Sequence, residues 1–286
     1  MEEKLKIAIQ KSGRLSEKSL GLLRSCGISL STGDRKLKAN ATNFPMDVFY
    51  LRDDDIPQYV AEGVADLGIL GENEVFEKNQ PVDPIKKLGF AKCRMSLAVR
   101  REVDYPGPSW FSGKKIATSY PGVLRKYLED TGIDASIEEI GGSVEIAPGI
   151  GLAEGIFDIV STGSTLIMNG LKEVETVLES EAILIRNRNL SQEKQALLDQ
   201  LLFRIDAVNT AKRNKYILLN APNEKVNDLI DIIPGMRSPT VLPLAVEGWS
   251  SIHTVIQEDD FWNVINKLKA NGAEGILVSP IEKMIL

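Results

Sequence analysis

A chain of 286 residues, 43% hydrophobic and 26% charged, can bury a sizeable core in two or three domains, which excludes disorder and collagen-like repeats. Its net charge of −6 excludes a non-specific nucleic-acid binder, which needs a basic footprint, but not small anionic substrates met by a local Lys/Arg cluster. Two cysteines, Cys26 and Cys93, outside any C-x-x-C pair, and one histidine, His253, exclude a disulfide framework and argue against a zinc centre or a Ser-His-Asp triad. Both thiols read as buried and free.

In chain order, Met1 leads through charged residues into the short apolar run Leu5–Ile9, which is neither a signal peptide nor a membrane span. The expectation is a cytoplasmic protein with no membrane and no nucleic-acid partner. Leu5–Ile9 begins as a strand, Gln10-Lys-Ser-Gly-Arg-Leu15 is a turn, and a helix runs from Ser16 to Cys26 before Gly27. Strands follow at Asp47–Leu51 and Asp66–Leu70, with a helix over Asp54–Gly63 that tolerates Pro57 only in its first turn. Beyond Cys93 come a strand at Arg94–Arg100, a turn at Trp110–Lys114, a strand at Lys115–Ser119 and a helix through Asp130. The β/α alternation predicts parallel sheets.

Two segments recur in the same order. Ala61-Glu-Gly-Val-Ala-Asp-Leu67 matches Ala153-Glu-Gly-Ile-Phe-Asp-Ile159, and Lys6-Ile-Ala8 with Gly13 and Leu15 matches Lys115-Ile-Ala117 with Gly122 and Leu124. They predict two related α/β lobes with a ligand cleft where strand ends converge. A long amphipathic helix over Ser191–Arg213 then reads as a connector packing back on the first lobe. The rest reads βαββαβ, the ferredoxin-like pattern, with strands at Lys215–Asn220, Thr240–Val246, Ser251–Gln257 and Gly275–Ser279, helices at Asn223–Ile233 and Asp260–Asn271, and a turn at Pro234-Gly235.

The segment richest in chemistry is Phe157–Leu166. An apolar strand runs into Ser161-Thr-Gly-Ser-Thr165 and a helix from Leu166. Small residues let backbone approach an anion, and the N–H groups and hydroxyls of such a loop can cradle a phosphate. The plain alternative is a Ser/Thr-rich helix cap. Asp158, three residues ahead of the loop, is placed to hold ribose hydroxyls or a bound Mg²⁺.

Glu145, Gly151, Ala153, Ile156, Asp158, Ile159, Thr162, Gly163, Thr165 and Leu166 fall at the spacings of the ATP phosphoribosyltransferase signature. The resemblance extends over Gln10–Leu15, Arg52-Asp-Asp-Asp-Ile-Pro57, Asp66–Glu72, Ala117–Pro121, Ser238–Pro243 and Ile281-Glu-Lys283, so the whole chain resembles the long form of this family. It implies a two-lobed, periplasmic-binding-protein-like (type II) catalytic part, with lobe I over 1–93 and 181–212 and lobe II over 94–180. A C-terminal ACT-like regulatory domain would occupy 213–286.

The implied reaction joins ATP and phosphoribosyl pyrophosphate with Mg²⁺ as cofactor, as the first step of histidine biosynthesis. Inhibition by histidine and by AMP, and a homo-oligomer between dimer and hexamer, come with it. Carried onto this chain, Lys11, Arg14 and Arg52 are the catalytic set. Glu145, Asp158, Ser161, Thr162, Gly163, Ser164 and Thr165 hold phosphoribosyl pyrophosphate, with Asp158 and Glu145 near the metal. Gly13, Glu72 and Tyr120 meet ATP, although Glu72 could merely start a helix and Tyr120 merely pack. Asp53-Asp-Asp55 reads as a helix start rather than a metal site. Asn220, Met236, Ser238, Thr240 and Ala273 are the implied histidine site, and Asn220 departs from relatives that carry an acidic residue there. The competing reading, from two duplicated lobes alone, is a non-catalytic solute-binding protein.

Overall fold

A computed structural model describes residues 3–31, 37–233 and 238–286; Met236 and the turn at Pro234-Gly235 lie outside them. The chain divides into two compact units, Met1–Leu23 with Ile28–Leu197, and Arg24–Gly27 with Leu198–Leu286. No helix among the described residues is long and apolar enough to cross a membrane.

The first unit begins with β1 (Leu5–Gln10), α1 (Arg14–Ser25), β2 (Lys38–Asn40), β3 (Met46–Leu51), α2 (Ile56–Ala61), β4 (Leu67–Gly71), α3 (Glu72–Lys78) and β5 (Val82–Lys87). The chain then crosses to a second sheet through β6 (Cys93–Arg100), β7 (Lys115–Thr118), α4 (Pro121–Thr131), β8 (Ser136–Glu139), β9 (Gly155–Val160), α5 (Ser164–Met168) and β10 (Leu171–Ser180). It returns at Glu181 as β11 (Ala182–Asn187). The helix expected over Asp54–Gly63 is a 3-10 turn at Asp53–Asp55 running into α2, with Pro57 in the first turn, where its missing N–H has no partner to lose.

The two sheets run β2-β3-β1-β4-β11-β5 and β10-β6-β9-β7-β8. Apart from the edge strand β2 they correspond strand for strand, and the recurring segments fall on β1 and β7 and at β4 and β9. In each sheet the three strands of the repeat are parallel, and the next strand, β11 or β6, runs antiparallel to both its neighbours. The expected all-parallel sheets are therefore mixed. The reason is connectivity: β6 and β11 enter each sheet from the other lobe, so neither follows a β–helix–β crossover that would make it parallel. This is the periplasmic-binding-protein-like type II arrangement. Leu5, Ile7, Ala8 and Ile9 of β1 are wholly buried, as a central strand covered on both faces requires.

In the second unit, α6 (Gln192–Lys212) contributes its residues from Leu198 onward, burying Leu198, Leu201, Ile205, Val208 and Ala211. The Ala207 carbonyl accepts from the Met284 N–H at 2.9 Å. Then follow β12 (Asn214–Pro222), α7 (Val226–Ile232), β13 (Thr240–Pro243), β14 (Trp249–Gln257), α8 (Glu258–Ala270) and β15 (Glu274–Pro280). The sheet order β13-β14-β12-β15 is antiparallel throughout, the ferredoxin-like order. Ile217, Leu219, Ile252 and Ile256 pack with Leu229 and Leu268 of the helices as one core. Cys26 is buried, and loss of water pushes its thiol up to about 11. Cys93, expected to be buried, is only partly so, because it sits where the chain crosses between lobes.

Candidate active site

β9 ends at Val160, and the chain turns through Ser161-Thr-Gly163 into α5. Gly163 has φ +78°, a conformation in which a Cβ is strained, so glycine is required at the turn. The Thr162 and Ser164 hydroxyls lie 3.0 Å apart. The helix starts two residues earlier than the expected Leu166, at Ser164, and ends at Met168, shortly before Gly170 (φ +71°). Ser161, Thr162, Gly163, Ser164 and Thr165 line a cleft of ≈ 440 Å³ with Glu145, Asp158 and, from the start of α1, Arg14. Eight residues of the sequence-predicted site thus share one cavity.

Asp158 is half-buried. Loss of water raises its carboxyl above the usual range, the Ile159 N–H opposes this from 2.7 Å, and Glu145 adds repulsion. Two carboxylates in mutual repulsion beside a hydroxyl-rich loop form a place that a cation would relieve. Among the described residues no group of three or more His, Cys, Asp or Glu could hold a metal ion by itself.

The other predicted catalytic and ATP-site residues do not line this cleft: Lys11 and Gly13 follow β1, Arg52 follows β3, Glu72 follows β4 and Tyr120 follows β7. The Lys11 N–H donates to the Leu51 carbonyl at 2.8 Å, which sets Lys11 beside Arg52. The exposed Arg52 guanidinium pairs with Asp54 at 3.1 Å. Gly13 (φ +91°) opens α1, its carbonyl accepting from the Glu17 N–H. Glu72 does start a helix: its N–H donates to the Glu181 carbonyl, and its carboxylate pairs with Lys87 at 3.1 Å. It lines a second cavity of ≈ 370 Å³ that shares Ser161 with the first. Tyr120 packs on the core of the second lobe. Burial, then Glu74, Asp158 and Asp53, push its phenol upward.

Sequence reasoning missed three groups. Arg94 grips Glu173 and reaches the Ser161 carbonyl; Glu74 is a buried acid; Glu77 caps α4. Arg94 and Glu77 lie far in sequence from the groups they hold, and Glu74 is buried by packing that its bond to the adjacent Asn73 does not announce, so no spacing signals them. In the second unit Asn220 pairs with Ser251 on β14 and Glu274 on β15, Ala273 is buried next to Glu274, and Thr240 pairs with His253. Ser238 is exposed, its hydroxyl donating to the Pro239 carbonyl.

The sequence profile of the ATP phosphoribosyltransferase family (HisG) matches residues 52–207, and that of the HisG C-terminal domain matches 211–283. The chain belongs to the ATP phosphoribosyltransferase family. It is an enzyme. Relatives of that name from Phocaeicola vulgatus and Bacteroides fragilis are each 60% identical over 282 residues, covering 99% of this chain and 100% of theirs. One from Cytophaga hutchinsonii is 56% identical over 285 residues, covering 100% of both chains. A solved ATP phosphoribosyl transferase (HisG:HisZ) complex from Thermotoga maritima superposes with TM-score 0.61 at 30% identity. It covers 71% of this chain and 98% of that one.

Proposed function

We propose that the enzyme transfers the phosphoribosyl group of phosphoribosyl pyrophosphate to N1 of ATP, giving N1-(5-phosphoribosyl)-ATP and pyrophosphate, the first step of histidine biosynthesis. The observation that carries the reading is the single cleft in which Ser161–Thr165, Asp158, Glu145 and Arg14 meet. The loop's N–H groups and hydroxyls hold the 5-phosphate, and Asp158 faces the ribose.

Displacement at the anomeric carbon builds positive charge on the ribose and negative charge on the leaving pyrophosphate. Adenine N1 carries its own lone pair, so no protein nucleophile or strong base is needed. The protein's part is positioning and charge stabilisation. Arg14, with Lys11 and Arg52 from the same strand ends, supplies cations for the pyrophosphate; the planar fork of arginine binds oxygens in pairs. Gly13, Glu72 and Tyr120 border the ATP side. Mg²⁺ fits the Asp158–Glu145 pair, which would hold it through one or two carboxylates while substrate oxygens supply the rest, and it would neutralise pyrophosphate charge.

The βαββαβ domain is the histidine-responsive part, with Asn220, Met236, Ser238, Thr240 and Ala273 around the effector and a homo-oligomer, dimer to hexamer, as its frame. AMP competes at the nucleotide site, and the enzyme works in the cytoplasm. Pyrophosphate release tests the core of this reading: turnover requires ATP, phosphoribosyl pyrophosphate and Mg²⁺ together. Binding of another small solute with no turnover of this pair would overturn it.

A further inference from the structure

We propose that Arg94 is a positioning residue for the loop Ser161–Thr165, acting through the Ser161 carbonyl; this rests on reading that loop as the phosphoribosyl pyrophosphate site. Arg94 stands on β6 directly opposite Val160, the last residue of β9 before the loop. Its Nε and Nη2 grip the two oxygens of Glu173 on β10, and its Nη1 donates to the Ser161 carbonyl at 3.3 Å.

Glu173 is itself held. The buried Ser96 hydroxyl donates to it at 2.7 Å and the Thr176 hydroxyl at 3.3 Å. A register shift in β10 between Glu173 and Glu175 marks the place where the strand departs from regular pairing. Three adjacent strands, β9, β6 and β10, therefore brace one peptide group. A planar trans peptide points its C=O and the following N–H in opposite directions. Tying the Ser161 carbonyl to Arg94 thus turns the Thr162 N–H away from Arg94 and fixes it as a donor of the loop. With its charge matched by Glu173, Arg94 contributes geometry rather than long-range attraction, and only a guanidinium supplies the fork and a further N–H together.

The test is steady-state kinetics for both substrates in Arg94→Lys and Glu173→Gln, with Thr165→Val as the control for the loop itself. Lysine keeps the charge and loses the fork. In Arg94→Lys the KM for phosphoribosyl pyrophosphate rises about tenfold, the worth of one charge-assisted hydrogen bond, while kcat and the KM for ATP stay within about twofold. Glu173→Gln moves the same constant in the same direction by less. If Arg94→Lys does not fold, Glu173→Gln decides. A rise in Thr165→Val with none in the other two variants overturns the positioning role and leaves the site intact. No rise in any of the three overturns the reading of the loop. Equal losses for both substrates reduce Arg94 to a fold-stabilising residue and overturn the proposal.

Discussion

The Glu77 carboxylate on α3 sits on the N-terminus of α4, one oxygen accepting from the Gly122 N–H and the other from the Val123 N–H, each at 2.9 Å. Pro121 has no N–H, and the Leu124 N–H goes to the Tyr120 carbonyl, so Glu77 satisfies the two donors the first turn leaves open. Because α3 belongs to the first lobe and α4 to the second, one side chain ties the lobes together. A Cβ at Gly122 would lie 2.9 Å from the Glu77 carbonyl oxygen and 3.1 Å from both carboxylate oxygens. Glu77→Ala costs about 1 kcal/mol, the usual worth of a lost helix cap. Gly122→Ala lowers the thermal midpoint in the same direction. Midpoints unchanged in both variants would show that the contact contributes nothing to lobe packing.

Glu74, three residues earlier, is buried, with one carboxylate oxygen accepting from the Asn73 amide at 3.0 Å. Burial, then Asp53, with further repulsion from Asp54 and Glu77 and only Lys78 opposing, pushes its carboxyl up to about 7. The folded chain therefore holds this proton more tightly than the unfolded chain, and stability falls as pH rises from the ordinary carboxylate range through about 7. Glu74→Gln removes that part of the slope and leaves the protein more stable at pH 8 than the parent. Urea unfolding at pH 5 and pH 8 reads this directly. An identical pH slope in parent and variant would place the titration elsewhere.

Asp158→Asn and Thr165→Val separate binding from stability. Asp158 is held half-buried against Glu145, so removing its charge relieves desolvation and repulsion and does not lower the thermal midpoint. Use of phosphoribosyl pyrophosphate weakens in both variants. The lost hydroxyl in Thr165→Val leaves a phosphate oxygen short of a donor, at about 1–3 kcal/mol. Unchanged kinetics in both would move the site away from this cleft.

Arg52 pairs with Asp54 and is largely exposed, so the proposed role requires it to turn from that carboxylate to pyrophosphate. A contact that strengthens as negative charge builds acts on kcat more than on KM. Arg52→Ala accordingly lowers kcat more than it raises KM for phosphoribosyl pyrophosphate. A pure KM effect would assign Arg52 to ground-state binding alone.

What could be read from sequence was local. Ser161–Thr165 with Asp158 is one strand end and one loop, so residue type and spacing carry it. The Asp66/Asp158 repeat carries the two lobes in the same way. The reversed strand of each sheet was not legible, because β6 and β11 owe their direction to crossings that no periodicity records. Nor was the Arg94–Glu173 brace, whose partners meet only when β6 and β10 pair. Glu77 and Gly122 likewise meet only across the two lobes. Tertiary pairing, rather than propensity, decides these contacts.

The proposed inhibition by histidine predicts an effector site in the βαββαβ domain rather than in the catalytic cleft. Among its described residues the domain holds no counterpart of the strand-end loop at Ser161–Thr165. Asn220 lies between β14 and β15, and a Cβ at Gly275 (φ +56°) would come within 3.2 Å of its amide nitrogen. Gly275 thereby leaves that amide room, and Asn220 supplies both a donor and an acceptor for an amino acid's polar groups. Shortening the chain at Arg213 is a poor test, because α6 from Leu198 onward packs in the same compact unit and would lose its cover. Asn220→Ala is the cleaner change. It raises the histidine concentration for half-inhibition at least about tenfold, in keeping with a lost polar pair in a small site, and leaves the KM for phosphoribosyl pyrophosphate unchanged. Inhibition must come from histidine's different affinity for two states of the enzyme, so the parent's oligomer distribution shifts with histidine and the variant's does not. Histidine competing with phosphoribosyl pyrophosphate equally well in parent and Asn220→Ala would place its site in the cleft instead.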